Sequence, residues 1–168
     1  MKLIENKTTA VRDFGKGLSL QILLDRENGA RNLDVGIVDI EPGCATGMHV
    51  RDFEEVIVML AGQGQIVAAG GEVATLNKND CVLIPAGTVH KHVNCTDKPL
   101  KQLYIFAPQA PEDIQKQFRS LPIYKTILVR DSKSSSRNDR KDKTKKVKIK
   151  KEKDKKNKKP DRRDKKKR

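Results

Sequence analysis

The stretch Gly43-Cys44-Ala45-Thr46-Gly47-Met48-His49-Val50-Arg51-Asp52-Phe53-Glu54-Glu55-Val56-Ile57-Val58-Met59-Leu60 passes from a loop of small residues into an apolar run. Small side chains let a backbone pass close to a cavity. From His49 onward, the two-residue period of an extended chain puts Arg51, Phe53, Glu55 and Ile57 on one face. Glu54 falls on the opposite face, where it is solvated. Glu55 then points the same way as the apolar side chains, and a buried carboxylate without a partner is expensive, so its position asks for a cation. Farther along, Pro85-Ala86-Gly87-Thr88-Val89-His90 starts a second strand at a tight turn, and His90 and His92 share a face. The three histidines of the chain all fall in this 44-residue window. Imidazoles with one carboxylate suit Fe(II), Mn(II), Zn(II), Ni(II) or Cu(II), and two His with one carboxylate leave positions open for substrate, water or O₂.

Working outward, short apolar runs alternate with glycine or asparagine turns. Strands are expected at Leu18–Leu24, Leu33–Ile40, Glu55–Leu60, Gln65–Ala69, Glu72–Leu76, Cys81–Ile84, Val89–Val93 and Leu100–Phe106. Asn28-Gly29 carries a hairpin-turn signal. Cys81–Ile84 reads as a buried strand. Tyr104 and Phe106 share a face and line the interior. Short strands at near-regular spacing leave no room for the crossover helices of a parallel sheet, so the fold class is all-β, an antiparallel sandwich or barrel. One helix is expected over Pro111–Arg119. Proline fits its first turn, Glu112 and Asp113 suit its positive end, and Ile114 and Phe118 share the face that crosses the outside of the barrel. Leu121–Arg130 reads as an edge strand or a contact with a partner subunit.

The net charge of +14 is not spread over the 168 residues. Residues 1–130 hold 15 Lys/Arg and 15 Asp/Glu, whereas residues 131–168 hold 21 Lys/Arg and 7 Asp/Glu, so the whole excess sits in the tail. The expected organisation is a folded domain over 1–130 and a disordered Lys/Arg-rich tail over 131–168. That tail has too little apolar surface to offset the entropy of ordering. Its basic residues would give salt-sensitive, sequence-blind association with nucleic acid or another polyanion. It holds no aromatic residue to stack bases and no apolar face for a membrane surface. No apolar run reaches the ~18 residues of a membrane span. The polar start, Met1–Val11, lacks the apolar core of a secretion signal. Cys44, Cys81 and Cys95 make an odd set without zinc-binding spacing, which fits reduced thiols in a cytoplasm. Cys44 is expected as a small packed thiol, and Cys81 and Cys95 as core or near-core residues.

The two blocks resemble the motifs of the cupin superfamily. The first motif runs G-x5-H-x-H-x3,4-E-x6-G, and Gly43, His49, Glu55 and Gly62 stand at matching spacings, with Arg51 in place of the second histidine. The second runs G-x5-P-x-G-x2-H-x3-N, and Pro85, Gly87, His90 and Asn94 match, with Asn79 in place of the first glycine. The resemblance covers about residues 18–108. It implies a small double-Greek-key (jelly-roll) barrel, often a homodimer, with one divalent transition metal ion held by His49, Glu55 and His90. Guanidinium has no lone pair to offer, so Arg51 departs from the ligand set. Three outcomes follow: metal held by the remaining three ligands, His92 standing in for the missing one, or Arg51 replacing the metal's charge and holding a carboxylate or phosphate. Arg51 and His92 are assigned to the catalytic, substrate-facing part of the site.

The expected function is a metal-dependent enzyme acting on a small polar molecule. Its chemistry would be O₂-dependent and dioxygenase-like, or Lewis-acid isomerisation or lysis. The alternatives are a non-catalytic ligand-binding module and association with nucleic acid through the tail.

Overall fold

The computed structural model describes residues 1–125. Ten strands and one helix follow in chain order: β1 (Val11–Gly15), β2 (Leu18–Leu24), β3 (Asp34–Ile40), β4 (Glu54–Ala61), β5 (Gly64–Ala68), β6 (Val73–Leu76), β7 (Cys81–Ile84), β8 (His90–Val93), β9 (Leu100–Ala107), α1 (Glu112–Ser120) and β10 (Ile123–Lys125). Every strand pairing is antiparallel. Seven strands form one sheet in the order β10-β1-β2-β3-β9-β4-β7, and three form a second in the order β6-β5-β8. The smaller sheet is extended by the loop before β4, through bridges pairing Ala45 with Val93 and His49 with His90.

Period-two alternation builds the interior. In β9 every second residue from Leu100 to Phe106 is buried, and in β4 Glu55, Ile57 and Met59 are buried. Leu18 and Leu20 of β2, Ile40 of β3 and Ile66 of β5 complete the core between the sheets. Each such aliphatic side chain, fully removed from water, contributes about 1.5–3 kcal/mol. Gly36 of β3 lies directly opposite Tyr104 of β9, and a methyl group there would overlap the Tyr104 ring. Glycine at this position makes room for the ring to lie inside.

α1 is fastened to the large sheet by polar contacts at both ends. Arg119 donates two hydrogen bonds to the buried carboxylate of Asp25, at 2.7 and 2.6 Å. Arg12 of β1 donates to the carbonyls of Arg119 and Leu121, which the end of a helix leaves without intrahelical partners. Near the other end, the buried Asp34 carboxylate accepts from Ala110 N–H at 2.7 Å and from Gln115. Burial pushes Asp34 above the usual carboxylate range despite these bonds. Phe118 turns inward against Phe14, Tyr104 and Phe106, so the helix contributes to the cavity wall as well as covering strands from outside.

Several expectations need correction. β1 carries only Val11 and Phe14 as large apolar residues around a charged middle, and its strand character comes from pairing with β2 and β10. Asn28-Gly29 does not form a two-residue hairpin. Arg26–Asn28 is a 3₁₀ turn capped by the Asp25 side chain and closed by Gly29 at φ 100°. Cys81–Ile84 is an edge strand, and only Ile84 is buried, while Leu83 is 54% exposed. Cys81 and Cys95 are exposed, whereas Cys44 packs against the core. Of the segment Leu121–Arg130, Ile123–Lys125 pairs as an edge strand with β1. The domain boundary at 130/131 and the basic tail lie outside the described residues. Among the described residues, no helix is long and apolar enough to cross a membrane.

Candidate metal centre

The site is assembled where the two sequence blocks meet. The loop carrying His49 runs beside β8. Its backbone N–H groups at Thr46 and His49 donate to the carbonyls of His92 and His90, and His90 N–H donates back to His49, each at 2.9 Å. Gly87 supplies a left-handed turn (φ 80°) that launches β8. Asn79, where a glycine was expected, has φ 75°. Asparagine is among the few other residues that tolerate that conformation, so the departure keeps the turn. Asn94 is fully buried and structural: its amide donates to Ile40 and Lys98 carbonyls at 2.8 Å and accepts from Thr96.

Four side chains converge: His49, Glu55, His90 and His92 each offer a ligand atom, all within 4.8 Å of one another. His90 Nε2 lies 3.4 Å from Glu55 Oε2, and His92 Nε2 lies 3.7 Å from Glu55 Oε1. The sequence placed His92 on the right face but gave no register across to Glu55. The pairing of β5 with β8 and of β8 with the His49 loop supplies it. The geometry sets His92 among the four groups whose ligand atoms could hold one ion.

The donor set fits a divalent ion. The Nδ1 atoms of His49 and His90 lie 2.9 Å from the carbonyls of Gly47 and Thr88. Each bond to a carbonyl fixes the proton on Nδ1 and leaves the Nε2 lone pair free. Glu55 Oε2, His90 Nε2 and His92 Nε2 are buried and have no hydrogen-bond partner. Such orphaned acceptors, facing one another, are costly unless an ion joins them. His92 Nδ1 lies 2.6 Å from the buried Gln102 amide. An amide can turn either end toward the ring, and with its oxygen there the His92 Nε2 lone pair also faces the centre.

The electrostatics agree. Burial lowers His49, helped by the charges of His90 and Arg51. Burial holds the fully enclosed His92 down at about 4, so its imidazole is neutral near pH 7. Burial acts to raise Glu55, but the closely facing His90 and the other nearby imidazoles outweigh it and keep the carboxyl below its usual range. His90 is the exception: burial works to lower it, and the facing Glu55 carboxylate raises it above an ordinary imidazole.

Above the cluster is a cavity of about 250 Å³ whose wall includes Leu18, Leu20, Val38, Tyr104, Phe106 and Phe118. Arg51 points into it, with its guanidinium carbon 5.8 Å from the Phe106 ring centre and 5.9 Å from that of Phe118. The wall is mostly apolar, which the sequence could not foresee because it comes from strands and a helix far apart in the chain. Glu54 is exposed, as expected.

Residues 36–106 match the cupin domain family. The barrel is a cupin domain. Among solved structures, it is similar to a RmlC-like cupin from Shewanella frigidimarina (20% identity, TM-score 0.58, covering 68% of this chain and 96% of that one). It is likewise similar to KdgF from Halomonas sp. (17%, TM-score 0.59, 68% and 98%). The polyketide cyclase RemF from Streptomyces resistomycificus gives 19%, TM-score 0.58, and 73% and 99%. At these identities the likeness concerns the fold. No curated protein sequence matches the chain.

Proposed function

We propose that this cupin domain is a metal-dependent enzyme acting on a small molecule held above the His49, Glu55, His90 and His92 cluster. The observation that carries this reading is the convergence of four ligand atoms, three of their side chains buried, with His49, Glu55 and His92 lining a cavity. A divalent ion bound there supplies Lewis acidity or, as iron, the capacity to activate O₂. The chain's own groups do the rest. Carbonyls 47 and 88 and the Gln102 amide orient the imidazoles, and the apolar wall excludes water from the bound molecule. The scarcity of hydroxyl partners on that wall favours the dioxygenase-like reading over isomerisation of a sugar.

Metal content of the purified full chain and of His49→Ala, followed by O₂ uptake of the Fe(II)-loaded protein with small organic acids, tests the proposal. Near-stoichiometric metal in the wild type, lost in the variant, together with metal-dependent O₂ uptake, is the expected result. Equally little metal in both favours a non-catalytic binding module. Metal retention without O₂ uptake favours Lewis-acid chemistry.

We further propose a homodimer, for which the exposed Leu83 on the edge strand β7 offers an apolar face. Sedimentation measures it directly. A cytoplasmic setting is supported by the three unpaired cysteines. For residues 131–168, weak polyanion association is proposed from charge alone, and salt-dependent retention on nucleic acid, compared with a chain lacking them, reads it.

A further inference from the structure

Most polar groups facing the cavity already have work. His49, Glu55 and His92 turn toward one another, Gln102 is bound to His92, and Thr46 Oγ1 accepts from His92 N–H. Arg51 is different. Among the described residues its guanidinium has neither a hydrogen-bond acceptor nor a carboxylate within ion-pair reach, and its Nε is enclosed without a partner. Guanidinium keeps its charge at any ordinary pH, so the cavity holds a fixed, partly desolvated cation. The Phe106 and Phe118 rings flank that cation at distances suited to cation–π contact, which fixes its position while leaving its N–H edges for another partner.

We propose that the pocket binds a small monocarboxylate with an apolar aromatic or branched body, its carboxylate paired with Arg51 and its body against Leu20, Val38, Phe106 and Phe118. A carboxylate matches the planar fork of one guanidinium with two parallel hydrogen bonds. A phosphate monoester brings nearly two charges, and among the described residues no second Arg or Lys lines the cavity. A sugar would bury hydroxyls against a wall with few free partners. The volume, about 250 Å³, is roughly that of eight waters at ~30 Å³ each, which suits a molecule on the order of ten heavy atoms. The inference rests on the proposed function in that the bound acid would lie over the metal cluster, but recognition by Arg51 does not itself need the ion.

The test is calorimetric titration of the full chain, metal-free and metal-loaded, with 3-phenylpropionate, its neutral amide, acetate and phenyl phosphate. In metal-free protein the acid is expected to bind at least about tenfold more tightly than the amide and than acetate. Arg51→Gln removes the preference for the acid while still binding the amide, which shows that the variant's pocket is intact. Arg51→Lys keeps part of the preference. Equal binding of acid and amide, no binding of either, tighter binding of phenyl phosphate, or an unchanged acid affinity in Arg51→Gln would overturn the proposal. Metal content measured on the same samples separates the two readings. Acid preference without metal sinks only the metal-enzyme reading, and metal without acid preference sinks only this one.

Discussion

His49 and His90 stand opposite one another across an isolated antiparallel bridge, each backbone N–H donating to the other's carbonyl at 2.9 Å. This bridge joins two sequence blocks about forty residues apart and sets the two imidazoles with ring centres 4.3 Å apart. The site's precision therefore depends on backbone pairing, and its donor set on what is attached to that backbone.

Gln102 holds His92 from behind. Gln102→Leu removes the partner of His92 Nδ1 and is expected to weaken metal binding by about 10–100-fold. His92→Ala, which deletes the ligand itself, is expected to weaken it further. Competition against a chromogenic chelator measures both, and a Gln102→Leu affinity equal to wild type would contradict the orienting role.

The pH dependence follows from the unequal imidazoles. His92, held at about 4, stays neutral in mildly acidic solution, His49 is lowered by burial, and His90 is raised. A raised group is protonated below its value, and the proton competes with metal, so affinity falls as pH drops through that point. Between pH 5 and 6.5 the logarithm of the affinity should change by no more than about two per pH unit, not three, because His92 has no proton to exchange there. Metal titrations across that range check the slope, and a slope near three would mean three independent imidazoles.

Gly36 is reserved for the Tyr104 ring. Gly36→Ala is expected to cost roughly 1–3 kcal/mol by overpacking. In a Tyr104→Leu background the same change should cost much less, because the facing ring is gone. Urea unfolding of the four proteins in this cycle gives the coupling, and additive costs would show that the ring is not the obstacle.

Arg119 fastens the helix that carries Phe118 into the cavity. Arg119→Met leaves Asp25 buried without its guanidinium partner, with an expected loss of roughly 2–4 kcal/mol, somewhat below the figure for a fully buried pair because Arg119 is partly exposed. The double variant Asp25→Asn/Arg119→Met should recover part of the loss. Denaturant unfolding measures each, and a double variant as unstable as the single one would contradict this reading.

The parts of the site legible in the sequence were those governed by local periodicity. Alternation alone put Arg51, Phe53, Glu55 and Ile57 on one face, and the structure has Phe53, Glu55 and Ile57 buried and Arg51 in the cavity wall. What escaped depended on neighbours in space. His92 stood in the sequence as one of three options for the missing ligand, and only the fold brings its ring within reach of Glu55. Cys81–Ile84 looked like a buried strand because an apolar run carries no mark of the sheet edge. The apolar cavity joins Phe14, Leu20, Val38, Phe106 and Phe118, residues spread over the whole barrel, so no window of sequence could display it.

Diffraction from crystals of the metal-loaded protein, recorded at the absorption edge of the added ion, addresses the metal centre most directly. The expected map has one strong anomalous peak per chain, ringed by Nε2 of His49, His90 and His92 and a carboxylate oxygen of Glu55. A metal-soaked crystal with no peak there, or with the three imidazoles and the carboxylate turned away from a common point, would contradict the account.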